Sequence, residues 1–128
     1  MQSLEDIVHE LNATYAAVMI ADVSLGYLYC DSGFNLPKEW VNIKNPLDES
    51  SLNGKAYVSR QAKIMNNMNS KLEGHFVSSV IIVPLMQNNQ ILGTVELISS
   101  ATGKTFSEAD LDRFKSFVQT FKVAKFNQ

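Results

Sequence analysis

Thr94 and Glu96 stand two residues apart in the run Ile91-Leu92-Gly93-Thr94-Val95-Glu96-Leu97-Ile98, a strand-like segment whose alternate side chains point to opposite faces. Leu92, Thr94, Glu96 and Ile98 then share one face, and Ile91, Gly93, Val95 and Leu97 the other. A carboxylate and a hydroxyl converging on an otherwise apolar face are groups that orient a small ligand in a cleft. Tyr27, Tyr29 and Asp31 form a comparable polar face on an earlier strand, and Trp40 is a candidate lid aromatic. The candidate ligand-binding set is therefore Tyr27, Tyr29, Asp31, Trp40, Thr94 and Glu96. The competing reading leaves Glu96 and the tyrosines exposed on an uncovered sheet.

Catalytic and metal chemistry are poorly supplied. A lone Cys30 makes no internal disulfide, all-cysteine zinc site or two-thiol relay, and reads as a buried small apolar residue. No Ser, His and acid set assembles without assumed proximity, and no His, Asp or Glu spacing matches a metal motif. His9 falls on the polar side of the first helix. Thr102-Gly103-Lys104-Thr105 has Ile98 where a phosphate loop needs its first Gly, so it reads as a turn. The expectation is a non-catalytic protein without a metal site.

The elements that must position these residues follow from periodicity. Leu4, Ile7, Val8 and Leu11 form one helical stripe begun by Ser3, with Asp6 placed for a capping box and Asn12 for the stop. Tyr15 to Ala21 is apolar throughout and reads as a strand buried on both faces, joined through Asp22–Gly26 to a second arm, Tyr27 to Asp31. From Ser32 to Ser50 the period fails, apart from a turn of helix around Pro37 to Val41. Ser51 to Gln61 reads as a helix whose internal Gly54 marks close packing, Lys63 to Asn66 as a short strand, and Asn67 to Gly74 as a loop. Val77 to Leu85 and Gln90 to Ile98 are strands joined by a tight turn at Asn88-Asn89, with Pro84 near a strand end. A last helix is capped by Ser107, carries the apolar stripe Leu111, Phe114, Phe117, Val118 and Phe121, and has Lys122 and Lys125 near its negative end.

Adjacent strands with hairpin connections indicate an α+β domain with an antiparallel sheet. Both terminal helices cover one face, which leaves Ser32 to His75 to close over the other. With 128 residues the chain reads as one domain, 1–128. The 11 Lys and Arg against 13 Asp and Glu carry no basic excess for nucleic acid. The apolar runs are too short to cross a membrane and the start lacks a signal sequence, so a cytoplasmic protein or fragment is expected.

Three segments in this order carry a family resemblance: Ser79-Val80-Ile81-Ile82-Val83-Pro84-Leu85, then Ile91-Leu92-Gly93-Thr94-Val95-Glu96-Leu97, then Phe106-Ser107-Glu108-Ala109-Asp110-Leu111. Together with Leu52-Asn53-Gly54-Lys55-Ala56 and Lys63-Ile64-Met65-Asn66-Asn67, they resemble the GAF domain family, relatives of PAS sensors, over almost the whole chain. The resemblance implies five or six antiparallel strands, terminal helices on one face and a small-molecule pocket on the other. It also implies a signalling role, in which the module binds a ligand such as a cyclic nucleotide, haem, a bilin or a metabolite, or serves only to dimerise.

Particular ligands are poorly matched. Of the cyclic-nucleotide signature, Phe106 and Asp110 fit, but Ser99-Ser100 stands at the Asn-Lys pair and Leu111 replaces the Glu. Bilin carriers need a Cys in the crossover, whereas Cys30 lies in a strand, and sulfoxide-reducing relatives need several thiols. His75 stands where some haem-binding relatives place an axial ligand. The cofactor is left unknown. The expected partners are a small molecule of unidentified chemistry and a second copy, packed through Leu4, Ile7, Leu11 and the stripe from Leu111 to Phe121.

Overall fold

In the computed structural model, which describes residues 2–121, the chain runs α1 (Leu4–Glu10), β1 (Tyr15–Asp22), β2 (Tyr27–Phe34), α2 (Lys38–Val41), β3 (Asn45–Pro46), α3 (Leu52–Ser59), β4 (Lys63–Met65), β5 (Ser70–Leu72), β6 (His75–Val77), β7 (Ser79–Gln87), β8 (Gln90–Ser99) and α4 (Glu108–Thr120). Local chemistry sets most boundaries. Ser3 and Asp6 form a full capping box at the head of α1, and Ser107 and Asp110 repeat it at the head of α4. Ser51 caps α3 by accepting from the Gly54 amide at 3.0 Å, and Arg60 ends it in the left-handed region. Lys122 and Lys125 lie outside the described residues.

Six strands form one antiparallel sheet in the order β3-β2-β1-β8-β7-β4, and β5 and β6 form a separate hairpin. The β7–β8 turn places Asn88 and Asn89 at φ of 53° and 64°, the pair of positive angles that matches the twist of a two-residue hairpin. Pro84, expected near a strand end, lies within β7 opposite Thr94, but β4 reaches only as far as Ile82, so its missing donor falls where β7 has one neighbour.

Each face is covered as the amphipathic pattern requires. Ile7 and Val8 of α1 and Phe114 and Phe117 of α4 pack on Val18, Ile20, Ile81, Val83, Val95 and Leu97. Arg113 ties the two helices together, its guanidinium donating to the Glu10 carboxylate and to the Gln2 side chain. Of the stripes expected to meet a second copy, Ile7, Leu11, Leu111, Phe114, Phe117 and Val118 are buried within a single chain, while Leu4 and Phe121 stay partly exposed. On the reverse face, Trp40, Ala56, Leu36, Ile43, Leu52 and Met68 of the middle segment pack over Met19, Val80, Ile82 and Ile98.

The structure departs from expectation in the polar stretches. Asn67 to Gly74, read as loop, contains β5, and His75 belongs to β6. The β2 arm continues to Phe34, past the expected end at Asp31. The β5–β6 strands are three residues each and half polar, too short to show a hydrophobic period, and they pair across the turn at Glu73 and Gly74, with φ of 48° and 84°.

Gly54 bears out the expectation of close packing. A Cβ there would lie 1.9 Å from the Asp48 carbonyl oxygen and 2.8 Å from that of Pro46. Gly54→Ala gains about 1 kcal/mol in helix preference, yet the backbone contact must open. Urea unfolding is expected to show a net loss of about 2 kcal/mol or more; a gain would mean that α3 is not seated against the crossover.

Candidate functional site

Between the sheet and the middle segment lies a cavity of two adjoining lobes, of about 90 Å³ and about 250 Å³. Trp40, Asn45, Asn53, Leu72, Glu96 and Ile98 line both. Strand register builds the floor. Glu96 sits directly opposite Ala17 on one side and Ile82 on the other, so the carboxylate rises from an apolar platform and the small Ala17 leaves room beside it. Cys30 and Met19, also paired, extend the floor of the smaller lobe.

The roof is joined by polar contacts between distant segments. The Trp40 indole Nε1 donates to the Leu72 carbonyl at 2.9 Å, linking α2 to the β5–β6 hairpin. The Trp40 ring meets Tyr15 edge-on at 4.9 Å and His75 at 5.9 Å, while His75 Nε2 lies 3.4 Å from Glu39.

Inside the cavity a chain of hydrogen bonds ends on the carboxylate. Thr94 Oγ1 donates to Asn53 Oδ1 at 2.8 Å, and Asn53 Nδ2 donates to Glu96 Oε1 at 2.5 Å. Thr94 is wholly buried and Asn53 is 7% exposed. Glu96 keeps more accessible area and lines both lobes. Burial raises its carboxyl from the ordinary 4.5 to about 7, with the Asn53 bond pulling the other way. Cys30 is half-buried. Burial, followed by the charges of Glu96 and Asp31, pushes its thiol up, which keeps it protonated and a weak nucleophile.

Of the six residues singled out in the sequence, Trp40 and Glu96 line this cavity, and Thr94, buried beneath it, is connected to Glu96 through Asn53. Tyr27, Tyr29 and Asp31 do not line this cavity, and the pairing explains why. Tyr29 lies opposite Ile20, whose side chain is under the terminal helices, so Tyr29 packs on that side and Leu28 and Cys30 face the cavity side. Val18 pairs with Ser32 and Met19 with Cys30, which leaves Asp31 as the extra residue of a β-bulge, exposed. Tyr27 begins β2, between Asp22 of β1 and Pro46 of β3, with the Lys44 ammonium 5.6 Å from its ring centroid. The residue missed was Asn53. Its signal was a poor helix former inside a short capped helix, a position that asks for a tertiary partner.

The comparisons bear on this arrangement. A family model of the GAF domain matches residues 2–124. The chain belongs to the GAF domain family. GAF domains are sensory and regulatory modules of signalling proteins. Solved structures share the fold. The GAF domain of an Acinetobacter phosphoenolpyruvate-protein phosphotransferase is 18% identical, with a TM-score of 0.74 over 90% of this chain and 72% of that one. The GAF-B domain of DevS from Mycobacterium smegmatis is 14% identical, with a TM-score of 0.72 over 90% and 81%. A free methionine-R-sulfoxide reductase from Neisseria meningitidis, solved with its substrate, is 12% identical, with a TM-score of 0.74 over 91% and 69%. At these identities the likeness is one of fold. No curated protein matches the chain.

Within this GAF domain His75 lines neither lobe, so it is not placed to ligate a haem there. Asp110 serves the α4 capping box and Phe106 is buried in the core beside α4, which gives both residues of the partial cyclic-nucleotide signature a structural use. Among the described residues no group of three or more His, Cys, Asp or Glu is placed to hold a metal, and no helix is long and apolar enough to cross a membrane.

The raised carboxyl makes the ligand-free domain less stable as pH rises. The folded state holds the Glu96 proton up to about 7 and the unfolded state only to 4.5, so stability is full below 4.5 and lost progressively up to about 7. At about 1.4 kcal/mol per pKa unit, the loss is on the order of 3 kcal/mol. Glu96→Gln is expected to flatten this slope in urea melts between pH 4.5 and 8 and to leave the variant the more stable at pH 8. An unchanged slope would contradict the desolvation of Glu96.

Proposed function

We propose that this GAF domain is a non-catalytic sensor that binds a small cytosolic molecule in the two-lobed cavity and passes its occupancy to a partner or output domain through α1 and α4. The observation that carries the reading is the Glu96 carboxylate, which lines both lobes of a largely apolar cavity and is held there by Asn53, itself anchored by the buried Thr94 hydroxyl. A buried polar group unfavourable to desolvate is retained where it meets a partner.

The architecture supports transmission as well as binding. The roof is irregular chain and a short hairpin, held by the Trp40 to Leu72 bond and the His75 to Glu39 contact, so a guest can reset it without breaking the sheet. In β8, Glu96 lines the cavity and Thr94 is tied to it through Asn53, while Val95 and Leu97 lie in the core under α1 and α4. A close-packed core relays a shift of the floor to those helices.

Trp40 is the single tryptophan and lines both lobes, so its fluorescence reports occupancy directly. A panel of metabolites and small apolar compounds is expected to contain some that change Trp40 emission and raise the melting temperature, since a ligand at about 100 times its dissociation constant adds about 2.7 kcal/mol. Ala17→Leu, which fills the smaller lobe beside Glu96, should abolish both responses while retaining a cooperative melt. A panel with no effect on either signal would refute the sensing reading.

A further inference from the structure

Resting on the reading of the cavity as a ligand site, we infer that its ligand is a small organic cation, an apolar body carrying a protonated nitrogen whose N–H groups meet the Glu96 carboxylate. The surroundings of that carboxylate favour such a guest. Its neighbours across the sheet, Ala17 and Ile82, carry no donor, and the Asn53 amide reaches Oε1. Among the described residues the ion pairs lie elsewhere, between Arg113 and Glu10 and between His75 and Glu39. No described buried side-chain oxygen or nitrogen lacks a partner, so Oε2, which Asn53 does not satisfy, has open space before it and not a sealed wall.

The remaining walls define the rest of the guest. Leu52, Met68, Val77, Val80 and Ile98 line the larger lobe, about 250 Å³, so they accept a hydrocarbon body. A dry apolar cavity of about 150 Å³ takes benzene, so a ring with a short tail is a suitable size. An anionic ligand would meet the Glu96 charge, and the basic side chain lining the larger lobe, Lys71, belongs to an exposed residue. A neutral alcohol would supply one donor without charge. A cation supplies several donors and the opposite charge in a desolvated setting, where charge-assisted bonds are strongest.

Protonation of Glu96 gives the inference a second handle, since a cation binds the ionised carboxylate and competes with its proton. The other titratable side chains on this side of the sheet are Tyr15 of β1, Cys30 of β2, Tyr57 of α3, Lys71 of β5 and, in the roof beside Trp40, His75 of β6 and Glu39 of α2, with Asp31 exposed at the β2 bulge; Glu96→Gln leaves all of them in place, so a pH response they cause persists in that variant. The test titrates the full chain with phenethylamine, 2-phenylethanol and 3-phenylpropionate, read by Trp40 fluorescence at pH 8 and pH 6. The amine is expected to bind at least tenfold more tightly than the alcohol or the acid at pH 8. With the Glu96 carboxyl near 7, its affinity should fall about tenfold on going to pH 6. Glu96→Gln should cost the amine tenfold or more and remove that pH dependence. Should the variant fail to fold, the wild-type ranking and its pH response decide the matter. Equal or tighter binding of the alcohol or the acid, or an amine affinity unmoved by Glu96→Gln, would overturn the cation while leaving the sensing reading standing. Failure of all three probes would also overturn it, and the wider panel would then decide whether the cavity binds anything.

Discussion

A carboxylate held inside an apolar platform by one amide is the interaction on which this domain's functional face is arranged. Glu96 projects from the sheet between Ala17 and Ile82, and Asn53 reaches it from α3. That bond fixes where α3 must lie, and α3 is brought close by Gly54, whose missing side chain lets the helix rest against the carbonyls of Asp48 and Pro46. The middle segment is thereby pinned above β8 at one end and latched to the β5–β6 hairpin by the Trp40 indole at the other. What lies between is a smaller core interrupted by a cavity.

The opposite face shows the contrast. There Phe114, Phe117, Ile7 and Val8 close on the sheet with apolar contacts throughout, and the polar links between α1 and α4 stay at the exposed Arg113 and Glu10. Filled packing of this kind is stiff. The two faces share strands β1 and β8, so a stiff side and a compliant side meet at alternate residues of the same backbone. This division is what a sensory module needs: one surface that adjusts to a guest and another that carries the adjustment away.

Much of the scaffold was legible because it is local. Capping boxes at Ser3 and Ser107, the Asn88-Asn89 turn and the stripes of the terminal helices depend on residues within a few positions of each other. The alternation in β8 also placed Thr94 and Glu96 on one face, where Asn53 meets both, since a central strand has both faces committed. In β2 the same argument failed. β3 covers only Tyr27 and Leu28, so the strand is largely an edge, its aromatic residues are half-exposed, and polarity does not tell which side holds the cavity. The Asp31 bulge shifts the alternation further. Asn53 escaped notice because its role lies 43 residues away in sequence, in a bond that only the tertiary structure brings together.

The state of the Glu96 carboxyl decides the account. A ¹³C titration of the side-chain carboxyl carbons, with Glu96 assigned by comparison with Glu96→Gln, follows that group alone. A midpoint near 7 is the predicted result, because burial outweighs the Asn53 hydrogen bond. A midpoint in the ordinary carboxylate range, about 4 to 5, would mean that Glu96 is bathed in water and that no desolvated ligand site stands on this sheet.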